Sequence, residues 1–584
     1  MQLPMQITAQ CSRSSLPIAL YNSKQVYAIE QAWFAQGYDS FGLMQQAAWQ
    51  MAQRIILLYQ QVKTQAKSKA KHHNHKVSQP SACVWVGQGN NGGDGWLIAH
   101  YLQQAGWQVQ VITVGIENDN QTNDSQNSKS AISDALKAQR MALDMSCPHQ
   151  RFEDMHQYQN KNARLDIALQ ADVYIDALFG IGLDRAPANS YKQAIVSFNS
   201  AAQQIGALVV AVDIPSGLVA STGQVFEGLA IQADITLCLI ARKFGLHTKD
   251  GMGFSGKVID IPLIPFASIE PAAILLKDGQ HLTPRCQNSY KGSYGHVLVV
   301  GGNRIDGSQG MGGAAILTSS SAMATGAGKI TVACHQAFHG ALLSSLPDAM
   351  TIDLHEQESV EHLIKSASVV AIGMGLGRDE KAKILFTRYL KAAIAHNKTL
   401  IIDADGLYHL AALQRDKNEL ITQLREYSKT HNVCLTPHSG EAAKLLDKKI
   451  SAIENDRSSA IHQCANIYGG NWVLKGAGSL ILAQGQLYVC GAGNAGMATA
   501  GMGDILSGVV AGLLAQQDLN DEQNNLCQAV VIHALAGDML VRQSSYDATT
   551  YDRISGNQLL IGQRGLQAQD MPAAIRHIMQ KLTC

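Results

Sequence analysis

Three features are missing from this 584-residue sequence, and each absence removes a class of protein. Excess charge is the first: 46 basic and 46 acidic side chains cancel to a formal net charge of +0. Neither nucleic acid nor an anionic membrane surface is then expected as the main partner. A membrane-spanning run is the second, since no apolar stretch approaches the ~18 to 20 residues needed to cross a bilayer. Paired cysteine spacing is the third. The 11 cysteines are scattered without a CxxC, and most, such as Cys83 in ACVWV and Cys238 in ITLCLIA, sit in apolar runs where a buried thiol is the default. A reducing compartment is expected, not a disulfide framework. MQLPMQITAQCSRSS has no basic region followed by an apolar core, so no signal peptide is read and a cytoplasmic location is expected.

Hydrophobic content of 46% and charged content of 16% are those of a soluble globular protein. The length calls for two to four domains. Small-molecule substrates and other protein chains are the expected partners, with a homo-oligomer as the expected assembly.

The most informative stretch is Asn494 to Gly508, NAGMATAGMGDILSG. Gly501 and Gly503 lack a Cβ, so the backbone there can take positive φ and approach a ligand closely. Ile505, Leu506, Val509, Val510, Leu513 and Leu514 then fall at helical spacing. A loop of free N–H groups feeding a helix N-terminus is an anion site. Asp504, where the helix should start, is either a base beside that anion or a helix cap.

In chain order, about twenty unpatterned residues precede a helix expected from Ser23 through Tyr59. Polar insertions near 63–81, with His72, His73 and His75, and near 117–130 are expected to be surface loops. The histidines have no accompanying Cys or carboxylate pattern, which favours a solvated segment over a metal site. Between the insertions, VWVGQGNNGGDGWLIAHYL predicts a strand ending at Gly87 and a helix starting near Asp94, with Gly87, Gly89 and Gly92 fitting GxGxxG. The amide and carboxyl oxygens of its NNGGD turn suit a ribose, a nicotinamide or a hard cation. ADVYIDALFG and ALVVAVDIPSG place Asp176 and Asp213 at the C-terminal ends of strands, where ligands bind in open α/β sheets. GMGFSGKV at 251–258 nearly matches a phosphate loop, but Val258 replaces the hydroxyl residue and a strand follows it, so the required context is absent.

Pro262, Pro265 and Pro271 mark a boundary. Beyond it, HVLVVGG, VVAIGMGLG, TLIIDADGL, VCLTPHSGE and WVLKGAG are successive strand ends separated by helical segments, which predicts a largely parallel sheet with its loops on one edge. MGGAAILTSSSAMATGAG reads as a small-residue helix able to pack closely on that sheet.

NNGGDG, IDALFGIGLDR and AVDIPSG together resemble the NAD(P)H-hydrate epimerase domain, a Rossmann-like three-layer α/β fold, over about Ser23 to Pro262. The resemblance implies a potassium ion on Asn91, Asp176 and Ser216. It implies substrate contacts from Asn90, Asn91, Gly92, Gly93 and Asp94, and from Gly180, Ile181, Gly182, Leu183, Asp184, Arg185 and Ala186, with Asp213 as acid/base. KGSYGHVLVVGG, GMGLG, TPHSGE, KGAGS and NAGMATAGMGD resemble the ADP-dependent NAD(P)H-hydrate dehydratase of the ribokinase-like superfamily, over about Gln287 to His577. Here the resemblance implies adenine-nucleotide binding by Lys475, Gly476, Ala477, Gly478, Ser479 and Gly503. Ala314, Gly375, His438 and Asp504 would meet the hydrated nicotinamide, with Asp504 as catalytic base and ADP, accompanied by magnesium, as co-substrate. Residues 1–270 and 275–584 are the expected domains. Two other readings stay open: a ribokinase-like kinase for a small alcohol, since GxGD is shared across that superfamily, and an N-terminal domain that only binds or dimerises.

Overall fold

Alternating apolar strands build two separate sheets, each covered by helices on both faces. The computed structural model describes residues 17–69, 79–116, 132–157, 170–266, 269–304, 310–541 and 561–583. The first strand, β1 (Ile18–Leu20), belongs to neither the helix that follows it nor the nearer sheet: it pairs with a strand 250 residues on.

The N-terminal sheet holds β2 (Ser81–Val86), β3 (Gln108–Thr113), β4 (His149–Arg151), β5 (Val173–Ala177), β6 (Leu208–Val212), β7 (Ile235–Leu239) and β8 (Lys257–Ile261). Their order is β4-β3-β2-β5-β6-β7-β8, and every pair is parallel. Alternation along β2 sorts its side chains into two cores: Ala82, Val84 and Val86 pack with Trp96 and Met51 on one face, Cys83 and Trp85 with Phe198 on the other. The order reverses between β2 and β5, and such a switch point leaves a crevice beyond the strand ends.

The second sheet contains β1 and ten later strands: β9 (Ala273–Leu276), β10 (His296–Val300), β11 (Lys329–Cys334), β12 (Met350–Asp353), β13 (Val369–Ile372), β14 (Thr399–Ile402), β15 (Val433–Leu435), β16 (Asn471–Leu474), β17 (Leu480–Ala483) and β18 (Gln486–Cys490). The order is β1-β9-β18-β17-β16-β15-β14-β13-β10-β11-β12. The strands from β10 to β16 are mutually parallel; β17 is antiparallel to both its neighbours, which restores β18 to the common direction. The loops after β10, β13, β14, β15, β16 and β18 therefore share one edge, with the switch point between β10 and β13.

Several expectations need correction. The single helix over 23–59 is two, Ser23–Phe34 and Ser40–Lys69, broken at Gly37, whose φ is +91°; Asp39 accepts from Gly42 N at 2.6 Å and starts the second. That helix runs on through Lys69, into the segment expected to be a loop, because its Gln, Lys and Ala residues are good helix formers. Ser81 already belongs to β2, so of the first polar insertion 70–78, with the three histidines, lies outside the described residues, as does all of 117–130. The helix after β2 starts at Asn90, four residues before Asp94, which puts NNGGD in its first turn. The small-residue helix Gly312–Thr325 does abut the sheet, but its closest approach is to the helix Met502–Leu514, where a Cβ at Gly508 or Gly512 would strike Thr318 or Ala322.

Nine cysteines are described, all free, and seven of them are buried. No described helix is long and apolar enough to cross a membrane.

Candidate active sites

At the N-terminal switch point a cavity of about 960 Å³ opens between the start of the Asn90–Gln104 helix, the loop after β5 and the end of β6. Asn90, Asn91, Asp94, the whole run from Gly180 to Ala186, and Asp213 line it. Gly92 and Gly93 do not. A Cβ on Gly92 would strike the carbonyl of Gly87, and one on Gly93 would lie 2.9 Å from Met44 Sδ, so these glycines let the helix sit on its neighbours. Asp184 and Arg185 are exposed on the rim.

Asp213 follows β6 with φ +67°, a left-handed conformation costly for a non-glycine residue. Its Oδ1 accepts from Leu239 N at 2.9 Å and from Lys243 Nζ in a short ion pair. Lys243, fully buried, also donates to Leu239 O at 2.7 Å. Burial pulls its pKa down, but Asp213, Cys238 and Glu30 outweigh that and hold it above the ordinary lysine value. Two further carboxyls face the cavity. Asp94 is buried with Oδ1 unpartnered, and burial followed by Asp213 and Glu30 pushes its pKa well up. Glu30 is raised by burial and then by Asp213.

Asp176 and Ser216, behind the cavity wall, converge with Asn91, which lines it, around Phe179. Asn91 Nδ2 donates to Phe179 O at 2.8 Å, and Phe179 N donates to Ser216 Oγ at 2.8 Å. Ser216 Oγ donates to Asp176 Oδ1 at 2.6 Å, and Ser216 N to Asp176 Oδ2 at 2.7 Å. Asp176 is wholly buried, and that burial raises its pKa to about 6 against the three hydrogen bonds that stabilise its anion. One buried carboxylate surrounded by neutral amide, hydroxyl and carbonyl oxygens fits a hard monovalent cation.

The second site lies on the common loop edge of the larger sheet. Lys475, just after β16, donates to Asp403 Oδ1 at 2.9 Å and lies 3.7 Å from Glu441 Oε2. Asp403, which follows β14 and is 1% exposed, also accepts from Ser507 Oγ at 2.7 Å. Burial lowers the lysine's pKa, but Asp403, Glu441 and Asp504 together carry it above the usual value. Asp504 stands at the third position of the helix Met502–Leu514. Its N-cap is Gly501, left-handed at φ +86°, so Asp504 is free of the capping role. Burial first and Asp403 second push its pKa up to about 7, against the pull of Lys475. The glycine stretch before it is anchored from behind: Gly493 N and Asn494 Nδ2 both donate to Asp538, each at 2.9 Å.

Gly503 adjoins this group, for a Cβ there would be 3.1 Å from Lys475 Nζ and 3.7 Å from Asp403 Oδ2. It is helical, not left-handed; of the two glycines flanking Met502, Gly501 is the one that needs positive φ. Gly375, at φ +66°, packs against Ala314: a Cβ on it would be 3.3 Å from that methyl. His438 caps the helix Ser439–Leu445, its Nδ1 accepting from Gly440 N at 3.0 Å, while its side chain stays 60% exposed. The residues 476–479 form a tight turn in which Ser479 Oγ donates to Gly476 O at 3.0 Å.

Sequence reasoning missed Asp403, Glu441 and Ser507 in this site, and Glu30 and Lys243 in the other. Asp403 carried the same signal as Asp176 and Asp213, an acid at the end of an apolar strand. Lys243 follows β7 by four residues, and nothing in ARKFG marks it as the partner of an aspartate thirty residues earlier.

Comparison with known proteins places both halves. Residues 40–245 match the family model described as YjeF-related protein N-terminus, and residues 299–558 match the one described as NAD(P)H-hydrate dehydratase. The Bifunctional NAD(P)H-hydrate repair enzyme Nnr of Coxiella burnetii is 29% identical over 570 residues, 94% of this chain and 97% of that protein. The protein of the same name from Escherichia coli is 31% identical over 514 residues, 86% of each chain. Among solved structures, a ribokinase-like superfamily protein from Enterococcus faecalis is 26% identical and spans 55% of this chain and 99% of its own, with a TM-score of 0.42. With both domain families in succession and full-length relatives aligned across them, the chain belongs to the bifunctional NAD(P)H-hydrate repair enzyme family.

Proposed function

We propose that the chain restores hydrated NADH and NADPH with two active sites, the N-terminal cavity interconverting the R and S hydrates and the C-terminal site dehydrating the S form at the expense of ADP. The observation that carries the reading is Asp504: a carboxylate at a helix mouth, with a pKa near 7, beside a lysine already neutralised by Asp403. Such a group can take a proton at neutral pH.

Hydration at C6 of the reduced nicotinamide ring leaves hydroxide as the group to be expelled, and hydroxide leaves poorly. Asp504 takes the hydroxyl proton as that oxygen attacks the terminal phosphorus of ADP. The bond to the bridging oxygen breaks and AMP departs. Loss of phosphate from C6 and of a proton from C5 then re-forms the ring double bond. Lys475, the turn through Ser479 and Gly503 would hold the nucleotide, with magnesium as its counter-ion; most N–H groups of the glycine stretch are bonded within the protein, so the first turn of the helix Met502–Leu514, at Gly503 and Asp504, is the part that would meet the transferring charge. Ala314, Gly375 and the exposed Nε2 edge of His438 bound the hydrate.

In the N-terminal cavity Asp213 moves the proton during epimerisation, with Lys243 fixing its carboxylate. Asn91, Asp176 and Ser216 would hold potassium, which when bound would supply positive charge beside the cavity, while Asn91 and Ser216 themselves hold the loop at Phe179. Epimerisation lets both hydrates drain through one stereospecific dehydratase.

The test is a mixture of R and S hydrates incubated with ADP or with ATP. Reduced-nicotinamide absorbance should recover to completion with ADP, releasing AMP and free phosphate in equal amounts. A stable phosphate ester as product would instead identify a small-alcohol kinase, and recovery halting at the S fraction would show the N-terminal domain to be non-catalytic.

A further inference from the structure

The turn assigned to ADP is held from behind by a buried cation. Arg457 opens the helix Arg457–Tyr468 and is 5% exposed. Its Nη2 donates to Leu474 O at 3.0 Å, and its Nη1 to Ala477 O at 2.8 Å and to Gly478 O at 3.4 Å. The same Nη1 meets Thr248 Oγ1 at 3.1 Å, a hydroxyl brought in by the N-terminal half of the chain. Thr248 Oγ1 donates in turn to Gly478 O at 3.3 Å, and Lys249 N to Ala477 O at 3.0 Å. All of these acceptors are neutral. Arg457 also lies directly beneath the turn, since a Cβ on Gly476 would be 2.8 Å from Nη2.

This clamp fixes direction as well as place. In a trans peptide the C=O and N–H point opposite ways. Holding the carbonyls of Ala477 and Gly478 down toward Arg457 and Thr248 turns the N–H groups of Gly478 and Ser479 up and away from them. Successive N–H groups so aligned form a concavity for an anion, and a buried guanidinium beneath raises its positive potential. Gly478 needs its left-handed φ of +57° to make the turn, and a Cβ there would strike His247 O.

We propose that Arg457 and Thr248 are positioning residues for the nucleotide phosphates, so that the N-terminal domain supplies part of the frame of the C-terminal active site. The proposal rests on the assignment of the Lys475–Ser479 turn to ADP. The segment 243–249 then serves both sites: Lys243 holds Asp213 in the epimerase cavity, Phe244 packs into the core of the second sheet, and Thr248 braces the nucleotide turn.

The experiment uses the full chain and the variants Thr248→Val, Thr248→Ser and Arg457→Lys. Losing one hydrogen bond at such a position corresponds to about threefold to tenfold in affinity. Thr248→Val should raise the KM for ADP by about that factor, leave kcat and the KM for S-hydrate within about twofold, and leave R-hydrate epimerisation unchanged. Calorimetric binding of ADP without hydrate should weaken in parallel, and Thr248→Ser should restore both. Arg457→Lys should lose more, because one ammonium group cannot reach three carbonyls in fork geometry. An unchanged ADP affinity in Thr248→Val overturns the proposal, as does a loss that falls equally on kcat or appears only with a lowered melting temperature. A wild-type protein that dehydrates no hydrate with ADP would refute the functional assignment instead, and the calorimetric arm would still decide whether the clamp governs nucleotide binding.

Discussion

Each half of the chain sets a lysine beside a carboxylate at the C-terminal edge of parallel strands, Lys243 wholly buried and Lys475 partly so, yet the two pairs are wired differently. In the N-terminal cavity Lys243 grips Asp213, the carboxylate that lines the cavity. In the C-terminal site Lys475 grips Asp403, and Asp504, the proposed base, is left with the field of both. A lysine that touches the working acid fixes its position. A lysine that touches a neighbour leaves the proposed base, Asp504, open to burial and like charge, which carry it to a pKa of about 7.

The strongest break of this contrast is Asp504→Asn, which should cut S-hydrate dehydration by roughly 10² to 10⁴ while epimerisation proceeds. Full dehydratase activity in that variant would remove Asp504 from the mechanism. Asp213→Ala should lower epimerisation by at least about 10², so that R-hydrate accumulates while S-hydrate is still consumed; chiral separation of the two over time reads this directly. Asp403→Asn removes one of the anions around Lys475, which keeps Glu441 beside it, and urea unfolding should show a loss of about 1 to 3 kcal/mol.

Smaller effects sharpen the contrast. Ser216→Ala removes a donor to Asp176 and an oxygen of the expected potassium site, so potassium titrations of epimerisation should shift upward by about tenfold, with dehydration unaffected. The pH dependence has a definite sign. Asp504 works as the anion, and its pKa of about 7 means it is protonated below that pH; dehydration should therefore fall about tenfold from pH 8 to pH 6, limited by this group. Because Asp403 raises that pKa, the residual activity of Asp403→Asn should have its midpoint at lower pH. A midpoint unmoved by the substitution would show that Asp403 does not act on Asp504.

Much of each site was legible because its parts are local. A glycine loop, an acid at a strand end and a helix after it are written within a dozen residues, which is how Asp176, Asp213 and Asp504 stood out. Asp403 was equally legible, an acid directly after the apolar strand of TLIIDADGL, but nothing local marks it as the partner of Lys475, 72 residues on. What could not be read were partners chosen by the fold. Lys243 meets Asp213 thirty residues back, and Thr248 meets Gly478 across 230 residues. Two boundary errors have local causes: Gly37 breaks a helix that periodicity alone would continue, and Asn90 begins one expected to start near Asp94, after the glycines of NNGGDG. Those glycines are tolerated in a helix because they let it lie against Gly87 and Met44.

The three residues of β1 carry a consequence for how this protein can be divided. Ile18 pairs with Leu275 and Leu20 with Ala273, so the chain enters and leaves the N-terminal domain at adjacent positions on the rim of the other sheet. In topological terms that domain is an insertion within a two-stranded edge, not a bead on a string. Cutting the chain near residue 270 would strip β1 from β9 and leave the released half with an uncovered strand edge, the usual template for aggregation. A separable dehydratase would have to keep a copy of residues 18–20 tethered in place, and edge-to-edge pairing of β9 between copies is the failure to expect when it does not.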